Sequence, residues 1–347
     1  MTESVNIIFT CRSDSKVLFM NELDKSGLDA KVVGWFDSET GGLRTGVAFE
    51  VFSRRVREMN FIYLRHMFPV YHKIEYSGLY GVSGYNFREI VENIMRFASV
   101  KAKKNIDKTF NIQLRKKDKG VDLGDFVGAL KEELKERGLV FDIKNKDFIV
   151  SGYLDEGYLY IGISDAEMNL SSWSGGRYVY SFQDDTISRA EFKLLEALDC
   201  FGIDLSECKN ALDLGAAPGG WTKVLLQHGL KVMAVDPALL SETLKNHPNV
   251  THFQGTAESF LVENKKLFDL VVNDMKMEVA MSTRIMNQMA SFLKPGAQAI
   301  MTLKLHEKNT TKTIKKGIGI LEEEYVILRV KQLFYNRMEV TVLAKKR

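Results

Sequence analysis

Residues 211–221 read Ala211-Leu212-Asp213-Leu214-Gly215-Ala216-Ala217-Pro218-Gly219-Gly220-Trp221. An apolar strand ends in a tight turn rich in glycine and leads into a helix. Such a turn lets backbone approach a ligand closely, and the helix start points N–H groups at it. The spacing is not GxGxxG, and no Gly-Lys-Ser/Thr follows, which disfavours dinucleotide and nucleoside triphosphate binding. The next predicted strand ends at Asp236, about 20 residues beyond the glycines, where nucleoside-binding α/β folds place an acid against ribose hydroxyls. A structural βα turn with a helix-capping Asp is the plainer alternative, and the turn alone would leave it open. Turn and acid together favour a nucleoside-type cofactor.

Around this stretch, alternating helices and apolar strands predict an α/β domain with a doubly wound, mostly parallel sheet. The expected strands are Asn210–Leu214, Lys231–Val235, Val250–Phe253, Phe268–Val272 and Ala297–Leu303, then Tyr325–Phe334 and Glu339–Lys345 joined through residues 335–338. The closing hairpin requires one antiparallel strand. A helix over Ser188–Cys200 opens with a capping box, Ser188-x-x-Glu191. Upstream, the order β-α-β-β-α-β predicts a ferredoxin-like module. Its strands fall at Asn6–Cys11, Lys31–Phe36, Leu43–Phe52 and Phe61–Glu75, its helices at Ser15–Ser26 and Ser53–Met59. A second α/β unit follows, with helices over Phe87–Lys103 and Leu123–Gly138 and strands over Thr109–Arg115, Asp147–Tyr153 and Tyr158–Ser164. Domains are therefore expected at 1–80, 81–170 and 188–347, with a polar linker over 171–187.

Composition narrows the class. In 347 residues, 45% are hydrophobic, 27% are charged and only 5 are Pro. That is globular composition and excludes disordered, collagenous and low-complexity chains. Three scattered cysteines cannot form a disulfide framework or a CxxC metal site, and the six histidines show no ligand spacing, so no metal is expected. The first residues lack a secretory pattern and no apolar run is long enough to span a bilayer, which predicts a cytoplasmic protein with no membrane partner. The net charge of +3 decides nothing. Locally, Lys101, Lys103, Lys104, Lys108, Arg115, Lys116, Lys117 and Lys119 crowd one stretch, either as a solvated surface or as a contact for nucleic acid. Nothing specifies the oligomeric state; a monomer or a weak dimer is the expectation.

Four charged residues can be placed on the sheet. Asp274 follows the strand ending Val271-Val272-Asn273, and Lys304 ends Ile300-Met301-Thr302-Leu303. Carboxyl ends of parallel strands share the edge where ligands bind. Glu339 starts the antiparallel strand, so it falls on that same edge. Lys193 lies on the polar flank of the Ser188–Cys200 helix. Two lysines and two carboxylates are thus expected to converge.

Ser188-Arg189-Ala190-x-x-Lys193-Leu194, Asp213–Trp221, Asn273-Asp274-Met275 and Leu303-Lys304 together resemble the FtsJ-type ribose 2′-O-methyltransferases. The closing Lys331–Val342 is similar to the ending of the large-subunit rRNA methyltransferase M group, and Thr109–Gly162 resembles a THUMP RNA-binding domain. The resemblance implies a Rossmann-like class I methyltransferase domain, S-adenosyl-L-methionine as cofactor, and a Lys-Asp-Lys-Glu tetrad at Lys193, Asp274, Lys304 and Glu339. It implies cofactor contacts from Ser188, Gly215, Ala217, Pro218, Gly219, Gly220, Trp221, Asp236 and Asp274. The family's adenine-binding acid aligns here with Thr256, a departure from its pattern; the Thr256 hydroxyl is expected to contact adenine in its place, with Glu258 as the alternative. RNA contacts are expected at Lys101, Lys103, Lys104, Arg115, Lys116 and Lys117.

The implied reaction is methyl transfer to a ribose 2′-hydroxyl, with 23S rRNA as substrate, at a cytidine of the peptidyl transferase region. Lys304 is the candidate proton acceptor, because a second lysine nearby lowers a lysine pKa; Asp274 and Glu339 act oppositely, and a purely orienting and electrostatic role for Lys304 is the alternative. A tRNA substrate and a non-catalytic RNA-binding or ribosome-assembly role are the alternatives; a nucleotide-dependent oxidoreductase is disfavoured by the absent GxGxxG.

Overall fold

The computed structural model describes residues 4–76, 85–100, 108–117, 120–263, 266–305 and 310–347. Its backbone divides into two compact units, Met1–Arg177 and Tyr178–Arg347.

The first unit begins with β1 (Val5–Thr10), α1 (Lys16–Lys25), β2 (Ala30–Trp35), β3 (Thr40–Thr45), α2 (Phe49–Glu58) and β4 (His66–Val70). The strands form a sheet in the order β2-β3-β1-β4, antiparallel at every pairing. Two readings of the sequence are corrected here. The strand expected at Leu43–Phe52 stops at Thr45, because Phe49, Phe52 and Val56 recur at helical spacing and are buried as one face of α2. The strand expected at Phe61–Glu75 is two strands. β4 pairs with β1, while β5 (His72–Glu75) joins a second sheet beyond Tyr71. Pro69, which has no N–H to donate, is tolerated because β4 is an edge strand.

The second sheet follows with α3 (Tyr85–Val100), β6 (Thr109–Lys116), α4 (Gly124–Glu136), β7 (Val140–Phe141), β8 (Phe148–Asp155) and β9 (Tyr158–Asp165). Its order is β5-β9-β8-β6-β7, with β6 parallel to both neighbours. The stripes Ile90, Val91, Ile94 of α3 and Phe126, Leu130, Leu134 of α4 pack on Phe148 and Val150 of β8. Burying that apolar face is the main favourable term holding helices to sheet.

The second unit contains α5 (Ala190–Phe201), β10 (Asn210–Leu214), α6 (Gly220–Gln227), β11 (Lys231–Val235), α7 (Glu242–Lys245), β12 (Val250–Phe253) and α8 (Ala257–Glu263). Then come β13 (Phe268–Asn273), α9 (Val279–Met289), β14 (Leu293–Lys304), α10 (Thr310–Leu321), β15 (Tyr325–Lys331) and β16 (Glu339–Lys346). The seven-stranded sheet runs β12-β11-β10-β13-β14-β16-β15, and β16 alone runs against the direction of the other six strands. This is the doubly wound sheet expected from the sequence. Leu212, Leu214, Val271, Val272 and Ile300 are fully buried, the near-continuous apolar character of strands covered on both faces. The helix expected from Ser188 begins at Ala190. Glu191 does reach back to the Ser188 N–H at 3.1 Å, but Ser188 Oγ accepts from Ala190 N, so the box is only half formed. β15 ends at Lys331, three residues earlier than expected, because the Leu333 backbone turns to donate to Asn336 Oδ1.

Candidate active site

Strand order reverses between β10 and β13, and the crevice outside the carboxyl ends at such a point is where open α/β sheets bind ligands. The turn after β10 makes one wall. Gly215 (φ +76°) and Gly219 (φ +115°) hold left-handed conformations that other L residues rarely adopt. A Cβ on Gly215 would sit 3.0 Å from Met275 Cα, so the turns after β10 and β13 meet backbone to backbone. No side chain caps the N-terminus of α6, whose first N–H groups have no partner within the helix. Asp236, just beyond β11, accepts the Ala217 N–H at 3.0 Å and the Ala238 N–H at 2.8 Å, one on each oxygen. It ties the glycine turn in place and keeps lone pairs for further donors.

At the same edge four charged side chains close a ring. Lys193 of α5 reaches Glu339 at 2.7 Å and Asp274 at 3.2 Å. Lys304, at the end of β14, pairs with the same two carboxylates: Glu339 at 2.5 Å, and Asp274. Lys304 and Glu339 are direct partners in the β14–β16 ladder, which fixes their separation through backbone. Thr302 Oγ1 donates to Asp274 at 2.6 Å. Each lysine therefore touches both acids, and the ring is neutral. Its members are mostly buried, with side-chain exposures of 19% and 20% for the lysines and 15% and 6% for Asp274 and Glu339. Burial opposes charge on Asp274, but Lys304 and Lys193 overcome it and hold the carboxyl below its ordinary range. Burial likewise works against the Lys193 ammonium, and Asp274 with Glu339 outweighs it, raising the pKa.

The family model described as FtsJ-like methyltransferase matches residues 186–339, a span that holds the glycine turn and all four ring members. Residues 186–339 form an FtsJ-like methyltransferase domain. Curated relatives carry the name "Ribosomal RNA large subunit methyltransferase M". That of Laribacter hongkongensis is 34% identical over 184 residues, 49% of this chain and 51% of that protein. That of Xylella fastidiosa is 33% identical over 203 residues, 55% of this chain and 56% of that protein. The chain thus spans about half the length of the curated relatives it matches. The solved structure of TrmN from Thermus thermophilus is 12% identical, covering 99% of this chain and 100% of that one with a TM-score of 0.37.

Within the FtsJ-like domain, the remaining expected residues divide by placement. Ala217, Pro218, Gly219 and Gly220 line the turn, and Ser188 Oγ lies 2.5 Å from where a Cβ on Gly220 would project. The Trp221 side chain does not face the crevice. It is 2% exposed, packed in the core with Leu194 and Val224, and its Nε1–H donates to the Ala190 carbonyl at 2.8 Å. Trp221 can offer only backbone to a ligand. Thr256 is exposed and serves as the cap of α8, accepting the Ser259 N–H at 3.2 Å. In the first unit, Lys101, Lys103 and Lys104 lie outside the described residues. Lys116 and Lys117 are exposed, Lys117 paired with Asp155 at 2.9 Å. Arg115 instead packs inward over the Tyr153 ring, where burial, with Arg177 adding like charge, lowers its pKa.

Several site residues escaped the sequence reading. Asp213, quoted as part of an apolar strand, is a fully buried acid whose Oδ2 accepts from Thr222 Oγ1 at 2.6 Å. Burial raises its pKa to about 7; Thr222 opposes the rise, and Asp274 and Asp236 add to it. An acid inside a strand destined for the centre of a parallel sheet was the available signal. Asn273 accepts the Met275 N–H at 2.9 Å and donates to Ser282 at 3.1 Å, which sets the backbone on either side of Asp274. Glu196 accepts the Phe334 and Tyr335 N–H groups at 2.6 and 2.8 Å, holding the loop that leads into Glu339. Nothing in local sequence shows these long-range bonds.

No helix among the described residues is long and apolar enough to cross a membrane, and none of their His, Cys, Asp and Glu groups is placed to hold a metal ion.

Proposed function

We propose that the chain is an S-adenosylmethionine-dependent RNA ribose 2′-O-methyltransferase acting on large-subunit ribosomal RNA. The observation that carries this reading is the neutral ring of Lys193, Asp274, Lys304 and Glu339 at the carboxyl edge of the sheet, beside the glycine turn. The names of the curated relatives support the substrate. The turn fits the cofactor: its left-handed glycines keep the approach open, the start of α6 is uncapped, and Asp236 retains acceptor capacity suited to ribose hydroxyls. Gly215, Ala217, Gly219, Gly220 and Asp236 would hold it, with Ser188 and Thr256 at the margins. When bound, the cofactor supplies an electrophilic methyl group.

The protein must then hold a ribose hydroxyl and remove its proton. Lys304 does both in this proposal. In its neutral form it leaves the ring one charge negative, and Asp274 and Glu339 then favour uptake of the hydroxyl proton. Lys193, whose pKa is raised, stays charged and prevents the two acids from repelling one another. Thr302 and the β14–β16 ladder fix the position of the ring, and positioning of this kind contributes up to about 7–11 kcal/mol in favourable intramolecular cases. The basic run that includes Lys101, Lys103, Lys104, Lys116 and Lys117 supplies affinity for phosphates, with Arg115 supporting it from inside; binding should fall steeply with salt.

Lys304→Ala tests the chemistry. Transfer of labelled methyl to large-subunit rRNA should be lost, while calorimetric affinity for S-adenosylmethionine stays close to that of the unaltered protein. Turnover retained in the variant removes Lys304 from the reaction.

A further inference from the structure

The helix that carries Lys193 of the neutral ring also carries Phe192, part of an aromatic cluster that ends in solvent. Tyr180, Phe192 and Tyr335 form a three-ring cluster: Tyr180 lies 5.8 Å from Phe192 and 5.7 Å from Tyr335 with planes tilted by 25° and 27°, and Phe192 and Tyr335 meet at 5.2 Å. Phe182 meets Phe192 edge-on at 5.0 Å and 76°. Phe192 is 4% exposed, but Phe182 is 58% exposed, a large apolar side chain held by its neighbours with much of its surface open to water. Arg189 lies over the Phe182 ring at 5.7 Å, within cation–π range. Arg189 makes no ion pair among the described residues, and it precedes Lys193 by four residues, one helical turn on the same face. Phe192, against which Phe182 packs, is the immediate neighbour of Lys193.

Charge around the ring is complementary to a polyanion. The four ring members cancel one another, so flanking cations are not neutralised by them. Lys276, two residues past Asp274, and Arg337, two before Glu339, are exposed and make no ion pair among the described residues. In the loop that carries Phe182, Asp185 is held by Lys223 at 2.9 Å, leaving Asp184 as a partial offset. A flat exposed aromatic ring with a guanidinium over it, beside exposed cations that make no ion pair among the described residues, is the combination that seats single-stranded nucleic acid: base on the ring, phosphates on the cations.

We infer that Phe182 and Arg189 form a seat for a nucleobase of the RNA strand entering the ring, the base stacking on Phe182 and its phosphate meeting Arg189. This rests on the RNA reading proposed above and adds the element that holds the strand next to the reacting ribose. The seat reads stacking surface rather than base edges, so it fixes position and not sequence.

The test uses the full chain and two probes of equal length, an oligouridylate of about 12 nucleotides and the same ribose–phosphate chain without bases, with affinity read by fluorescence anisotropy. The unaltered protein should prefer the base-bearing strand. Phe182→Ala should weaken oligouridylate binding about tenfold and leave the abasic chain unchanged, whereas Phe182→Trp retains the preference. Arg189→Ala should weaken both probes. Unchanged S-adenosylmethionine affinity in each variant shows the domain intact. Wild-type affinity for oligouridylate in Phe182→Ala, equal weakening of both probes in that variant, or loss in Phe182→Trp overturns the seat and leaves the RNA reading standing. Failure of the unaltered protein to bind either strand overturns the RNA reading itself and the seat with it.

Discussion

Glu339→Gln removes one charge from a ring in which every member has two partners. Lys193 and Lys304, each about four-fifths buried, would then share the single carboxylate of Asp274, and the ring would carry one positive charge. Breaking a buried ion pair from one side costs about 3–5 kcal/mol. The partial exposure of both ammonium groups puts the expectation at the lower end, about 3 kcal/mol, or a fall in Tm of about 6–12 °C for a unit of this size. Scanning calorimetry of the full chain measures it. A second substitution makes the reasoning specific to charge. Lys193→Met on the Glu339→Gln background leaves Lys304 and Asp274 as a neutral pair. The double variant should therefore be more stable than the sum of the single effects by at least about 1 kcal/mol. Simple additivity, or a Tm change under about 2 °C in Glu339→Gln, would refute the ring as an electrostatic unit.

Other outcomes follow from the same geometry. Asp213 has its pKa raised by burial from 3.8 to about 7. The folded chain thus keeps a proton that the unfolded chain has lost, and the associated stability is full below about pH 4 and lost as pH rises through about 7. Asp213→Asn has no proton to release, so urea melts should show it gaining on the unaltered protein from pH 5 to pH 8; a constant difference across that range contradicts the assignment. Gly215→Ala forces a side chain into a left-handed conformation against the Met275 backbone. It should cost about 1–3 kcal/mol in urea and weaken S-adenosylmethionine binding, and normal values for both would show that the turn can relax. If Lys304 accepts the proton as a neutral amine, single-turnover rates should climb with pH above 7. A flat profile there speaks for another acceptor.

The parallel sheet was legible because its strands announce themselves. Asn210–Leu214, Lys231–Val235 and Val250–Phe253 are short apolar runs between helices, and their ends agree with the structure residue for residue. The convergence of the ring was legible for a topological reason: carboxyl ends of parallel strands and the start of one antiparallel strand share an edge. What escaped depends on distance in sequence. Residues 61–75 contain no glycine and no turn dipeptide to indicate that Tyr71 divides two strands between two sheets. Trp221 lies in the turn motif but points into the core, a matter of helix phase that the motif does not encode. The apolar period of Phe49, Phe52 and Val56 was present in the sequence, yet Leu43–Phe52 also reads as β-prone, and burial against the sheet decides for the helix.

The central claim is methyl transfer to a ribose hydroxyl of large-subunit RNA. The most direct measurement incubates the chain with methyl-labelled S-adenosylmethionine and separate pools of unmodified rRNA and tRNA, followed by digestion and identification of the labelled nucleoside. A 2′-O-methylated nucleoside from the large-subunit RNA is the predicted result. Label on a base would contradict the role given to Lys304 and its ring, and label confined to tRNA would contradict the substrate.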